Sequence, residues 1–168
     1  MRARETERNG EHMKDPGVLD TMDAVLDFAV KKEQEARATY MEYAAKTGNA
    51  GLRSLLLAMA DQEKGHELIL TDLRARKSMD PLLSKPRAMD LKISDYTADV
   101  EFDPGMNYQD FLILVIKKEE KSESLYRKLE TLASSDGLKY AFRGLAEEEK
   151  RHKALAQDRY DLEILTEN

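Results

Sequence analysis

Glutamate and histidine recur in this chain at a spacing that can hold metal ions. Glu63-Lys64-Gly65-His66 returns as Glu149-Lys150-Arg151-His152, and Lys31-Lys32-Glu33 returns as Lys117-Lys118-Glu119. The offsets agree, since 119 − 33, 149 − 63 and 152 − 66 all equal 86. The chain therefore reads as a duplicated helix pair, each copy carrying a lone Glu and, 30 residues later, a Glu-x-x-His. Four carboxylates and two imidazoles in that order are the ligand set of a two-metal site inside a four-helix bundle. Glu brings hard oxygens that can bridge two ions. Neutral His brings one nitrogen per ion and favours iron, manganese or zinc over magnesium or calcium.

The elements that must position these groups follow from hydrophobic periodicity. Met22, Leu26, Ala29, Glu33, Ala36, Tyr40 and Tyr43 alternate in steps of 4 and 3, the buried stripe of a packed helix. Asp20 or Thr21 would cap it. Thr47-Gly48-Asn49 is a short stop and restart, with Gly48 suited to the position after the helix and Asn49 to the next N-cap. The second helix, about Ala50 to Lys77, carries Leu52, Leu56, Met59, Glu63, His66, Leu70 and Leu73 at the same alternation. Tyr108, Leu112, Val115, Glu119, Ser122, Tyr126, Leu129 and Ala133 mark a third helix starting near Asn107, with Asp110 in its first turn. After Ser134-Ser135-Asp136-Gly137, a fourth is marked by Leu138, Phe142, Leu145, Glu149, His152, Ala156 and Arg159 and runs to about Leu165. Connections this short make each pair antiparallel.

Residues 78–106 break the pattern with Pro81, Pro86, Pro104 and Gly105. That is a crossover rather than a hairpin turn. The expected fold is all-α: a ferritin-like antiparallel four-helix bundle with one long crossover between helices two and three. Residues 1–19 form an N-terminal arm, and the bundle occupies 20–168, as helix pairs 20–77 and 107–165 around the crossover 78–106. Tyr96 to Phe102 is either extended or packed along the bundle. The long connection also permits helix exchange between protomers, and a fifth helix is not expected.

All six ligand candidates fall in buried register. An unpaired buried carboxylate is very unfavourable, and four at one level would repel one another and raise their pKa values. Two divalent cations remove the conflict. Any one Glu in so charged a chain is most often solvated, and a single Glu-x-x-His recurs by accident. Two copies in core register, each following a core Glu, are not explained that way. Two of the three histidines are used here, and His12 lies in the arm. Glu35, Glu42, Glu67, Glu120, Glu123, Glu147 and Glu148 fall off the stripes and read as solvated neighbours. Tyr40 and Tyr126, also 86 apart, are either half-buried bundle aromatics or donors to ligand carboxylates. Tyr43 and Met59 read as packing.

Composition narrows the function classes. The 168 residues suffice for one domain, and 41% apolar with 36% charged residues suits long amphipathic helices. No apolar run reaches the ~20 residues of a membrane span, and Met1 to Lys14 lacks a secretory h-region. A cytoplasmic location is the expectation. There is no cysteine, which removes disulfides, Cys-ligated zinc, iron–sulfur clusters and thiol nucleophiles. A net charge of −6 disfavours nucleic acid.

With Glu33, Glu63-x-x-His66, Glu119 and Glu149-x-x-His152 in place, the chain resembles a rubrerythrin-type member of the ferritin-like di-iron carboxylate superfamily over roughly residues 20–165. The resemblance implies two iron ions, with manganese or zinc as alternatives. Glu33, Glu63 and His66 would serve mainly one ion, and Glu119, Glu149 and His152 mainly the other. Glu63 and Glu119, or their symmetry partners, would bridge. Three departures stand out. No rubredoxin-like cysteine module is present. Ser122 occupies the place of an extra Glu one turn after the third-helix ligand, which argues against an efficient rubrerythrin-like peroxidase cycle. Lys64 stands where bacterioferritins bind haem through Met, so no haem is expected. The implied activity is reduction of O2 or hydrogen peroxide, as oxidase, peroxidase or ferroxidase, with no catalytic residue beyond the metal ligands. Electrons would come from an external donor, and a homodimer is expected. The alternatives are iron storage or sequestration without turnover, and a bundle that metals only stabilise.

Overall fold

Four helices dominate the computed structural model, which describes residues 17–19, 21–76 and 91–165. They are α1 (Met22–Lys46), α2 (Ala50–Arg76), α3 (Tyr108–Leu132) and α4 (Asp136–Glu163). Each begins at a side-chain cap. Thr21 Oγ1 accepts from Ala24 N, Asn49 Oδ1 from Leu52 N, Asn107 Oδ1 from Asp110 N and Ser135 Oγ from Leu138 N. Each such cap is worth about 1 kcal/mol and sets where the buried stripe starts. Thr21, Asn49 and Asp110 act as expected, whereas Asp20, His12 and the prolines at 81 and 86 lie outside the described residues.

The first turn closes differently from expectation. Gly48 follows the C-cap Thr47, yet no described residue, glycine included, has a positive φ. Thr47 N donates to Tyr43 O instead, and Arg53 reaches back, donating through Nε to Ala44 O (3.2 Å) and through Nη2 to Thr47 O (2.6 Å). A guanidinium thus satisfies carbonyls that a left-handed glycine would otherwise have tied up.

The described part of the crossover, residues 91–106, is a strap along the bundle. Val18–Leu19 pairs antiparallel with Leu91–Lys92, matching Leu19 to Leu91. Gly17 to Leu19, expected within the free arm, are thus held in a two-stranded ribbon whose Leu19 and Leu91 are buried. A 3-10 turn at Ile93–Tyr96 follows. Lysines from α1 and α3 fasten it: Lys32 Nζ donates to Tyr96 O (2.7 Å), Lys121 Nζ to Asp95 O (3.0 Å) and Lys46 Nζ to Pro104 O. Of the two options for Tyr96 to Phe102, the strap takes packing: Tyr96 is buried and Phe102 meets Phe111 edge-on.

The core is not continuous. One apolar cluster gathers Leu26, Ala29, Leu70, Leu125, Tyr126, Leu129 and Phe142. Another gathers Tyr40, Tyr43, Leu52, Leu56, Met59, Phe111, Leu112 and Val115. The Glu and His of the repeated motifs lie on the same four stripes, between the positions that feed these two clusters. No helix among the described residues is long and apolar enough to cross a membrane.

Candidate metal centre

Glu33, Glu63, Glu119, Glu149, His66 and His152 are each at most 2% exposed, and all of them converge. Their ligand atoms form two overlapping groups within 4.8 Å. One group is Glu33, Glu63, His66 and Glu149; the other is Glu63, Glu119, Glu149 and His152. Helical geometry explains the overlap, because a Glu three residues before a His stands one turn away on the same face. Glu63 and Glu149, the two Glu-x-x-His carboxylates, belong to both groups. Glu119 belongs to one group and Glu33 to the other, so of the carboxylates left open as bridges by the sequence it is Glu63 and Glu149 that reach both groups, the lone Glu of α1 and of α3 each standing at one side.

The close contacts inside the centre are those of ligands around ions. His66 Nδ1 lies 3.0 Å from Glu63 Oε2, 3.3 Å from Glu33 Oε2 and 3.0 Å from Glu149 Oε1. His152 Nδ1 lies 2.9 Å from Glu63 Oε1 and 3.6 Å from Glu149 Oε2. Despite that proximity, His152 Nδ1 and the Oε1 atoms of Glu63, Glu119 and Glu149 are buried without any hydrogen bond. Orphaned buried polar atoms are rare because each is strongly unfavourable. Lone pairs converging on a point rather than on hydrogens are what a cation requires, so the residues fit a pair of metal ions.

Without ions the centre neutralises itself with protons. Burial, then the charge of Glu149, raises the Glu33 and Glu119 carboxyls well above the usual range. Glu63 and Glu149 feel the same burial, but the adjacent imidazoles of His152 and His66 and the neighbouring carboxyls outweigh it and hold them below. Burial opposes a charged imidazole, yet the surrounding carboxylates win: His66 is raised far above its usual value and His152 is pushed up to about 12.

The outer partners were harder to foresee. His66 Nε2 meets Glu148 Oε2 at 2.8 Å, and His152 Nε2 meets Gln62 Oε1 at 2.8 Å. Glu148 reads from the sequence as solvated and Gln62 draws no attention there, although 148 − 62 is again 86. The repeat offset is the one signal in the sequence that could have found both. Tyr126 donates to Glu33 Oε1 across the bundle, and its own hydroxyl is raised well above the usual range by burial and by the charges of Glu33 and Glu149. The Tyr40 hydroxyl is buried with no partner. Of the two matched tyrosines, one reaches a carboxylate of the centre and one is packing.

The comparisons with known proteins accord with this geometry. Residues 24–100 match the family model for rubrerythrin. Over that stretch the chain is similar to rubrerythrin. A hypothetical protein from Pyrococcus furiosus, known as a solved structure, superposes with a TM-score of 0.64 at 26% identity, covering 84% of this chain and 89% of its own. No curated protein matches. The matched stretch contains Glu33, Glu63 and His66, one half of the ligand set. Glu119, Glu149 and His152 lie beyond it, and their place in the same centre rests on the internal repeat and the geometry above.

Proposed function

We propose that the chain is a di-iron oxidoreductase that reduces O2 or hydrogen peroxide. The observation carrying this reading is the pair of overlapping four-residue clusters that share Glu63 and Glu149. Glu33 and His66 would complete one ion's ligands, Glu119 and His152 the other's. Iron bound there would supply one electron from each ion. The protein's part is to hold the pair at fixed spacing through two shared carboxylates, exclude water between two apolar clusters, and orient both imidazoles through their outer nitrogens. Harder oxygen donors in excess over nitrogen, with no sulfur, favour iron or manganese over structural zinc.

The proposal includes an external electron donor, because a chain without cysteine offers no thiolate-held relay. It also includes a homodimer in the cytoplasm, the commonest assembly for such chains. Anaerobic ferrous titration followed by oxidant tests the core of it. The expected result is about two irons per chain that oxidise faster than iron free in buffer. Binding without faster oxidation would leave a storage or sequestration protein, and failure to bind would overturn the reading.

A further inference from the structure

Lys32 and Lys118, the second lysines of the repeated Lys-Lys-Glu, have no part in holding metal. Both line one cavity of about 420 Å³ between α1, α3 and the strap. The cavity also touches Glu119 of the centre and Ser122, one turn further along α3. Ser122 is 8% exposed, and its small side chain leaves room beside Glu119 that a longer residue would fill. Phe28 and Phe102 supply apolar wall. Lys118 is half-buried and has no hydrogen-bond or ion-pair partner among the described residues. Lys32 is half-buried too, and its one hydrogen bond goes to a neutral carbonyl, Tyr96 O.

Charge is arranged by depth. Glu35, Glu42 and Glu101 also line the cavity but are exposed, where water and salt screen them. The lysines sit deeper, in a less polar setting where an unneutralised ammonium is unfavourable. Lys32 Nζ also lies 5.8 Å from the centre of the Phe28 ring and feels the carboxylates of the centre, and Lys118 feels the exposed Glu35 and Glu101, but neither ammonium has a direct ion-pair partner among the described residues. Apolar wall and ammonium groups so placed together recognise a small molecule with a hydrocarbon body and an anionic end.

We propose that this cavity binds a small amphipathic carboxylate, its headgroup held by Lys118 and Lys32 and its carbon chain against Phe28 and Phe102. The site adjoins Glu119, so an occupant would be presented to the metal centre. That consequence rests on the proposed function, but binding itself does not.

The test uses the full chain without metal, titrated with hexanoate and with hexan-1-ol in a calorimeter. Hexanoate should bind saturably and about tenfold or more tighter than the alcohol, the difference expected of one charge-assisted hydrogen bond. Lys118→Met should reduce hexanoate to the level of the alcohol. Ser122→Leu, which fills the cavity, should abolish binding of both. Unchanged melting temperatures certify that the variants fold. Absence of saturable hexanoate binding, or a Lys118→Met chain that binds it like the parent, would overturn the proposal. Because no metal is present, that failure is separate from a failure to bind iron.

Discussion

His66 and His152 occupy equivalent places in the repeat, but what stands behind each ring differs. Glu148 carries a carboxylate to His66 Nε2, whereas Gln62 offers His152 Nε2 a neutral amide oxygen. The lone glutamates differ likewise. Glu33 accepts a hydrogen bond from Tyr126, while Glu119 Oε1 and the Tyr40 hydroxyl are both buried and unpaired. One half of the centre is thus held from outside at two points and the other at one. Duplication explains the common frame, and single changes in the outer partners explain the difference. A carboxylate behind a ligating imidazole raises its basicity and fixes its orientation. The Glu33–His66 half is the better prepared to receive a cation.

The largest expected effect separates shared from unshared carboxylates. Glu63→Ala or Glu149→Ala removes a ligand common to both halves, so both ions should be lost. Glu119→Ala touches one half only, and about one ion per chain should remain, bound by Glu33, Glu63, His66 and Glu149. Elemental analysis after gel filtration checks this. Equal losses from Glu63→Ala and Glu119→Ala would erase the distinction between the halves.

Loading should also reverse the response to pH. In the metal-free chain both histidines have raised pKa values, so their stabilisation is complete below the ordinary 6.5 and is lost as pH climbs toward about 12 for His152. The raised carboxyls of Glu33 and Glu119 act in the same direction. Glu63 and Glu149 are lowered, so their contribution is present above the ordinary 4.5 and is lost in acid. The metal-free chain should therefore melt highest near pH 4.5 and weaken above it, first as Glu33 and Glu119 lose their contribution and then, past 6.5, as the histidines do. Metal binding displaces protons from the ligand histidines and carboxyls, hence affinity and melting temperature of the loaded chain should rise with pH above 4.5. Thermal melts at several pH values, with and without ferrous iron under argon, read the inversion.

A more modest effect tests the asymmetry itself. Glu148→Gln should weaken the first of two binding steps about 10–100-fold and leave the second. Gln62→Glu should strengthen the second step. The double variant exchanges the two settings, and anomalous scattering from a half-loaded crystal should then find the ion at His152 instead of His66. A parent chain that fills both positions evenly at half loading would contradict the argument.

Much of this was legible in the sequence for a definite physical reason. A Glu in an apolar stripe at period 3.5 has to face the core, so Glu33, Glu63, Glu119 and Glu149 announced their burial. The polar caps Thr21, Asn49 and Asn107 announced the helix starts. Interactions between elements were less visible. Arg53 closing α1, Lys32 fastening Tyr96 and Glu148 reaching His66 all depend on how one helix is rotated against another, which a stripe defines only to within a side chain's reach. Gly17 to Leu19 show the same limit, because strand pairing with Leu91 and Lys92 has no local pattern over two residues.

The smallest effect concerns the two tyrosines and is measured without metal. Tyr126→Phe deletes a buried donor to Glu33, and losing a hydrogen bond to an ionisable group while stranding its acceptor costs about 1–3 kcal/mol. Tyr40→Phe deletes a buried hydroxyl that has no partner, so the chain should be unchanged or stabilised by up to about 1 kcal/mol. Urea unfolding of both variants against the parent, at a pH where all remain metal-free, gives the difference directly. Opposite signs would show that the repeat preserves the position of these rings but not the work of their hydroxyls. Equal destabilisation would mean that Tyr40 finds an acceptor in solution, with Glu119 the nearest in logic, and the two halves would then be wired alike on their carboxylate side.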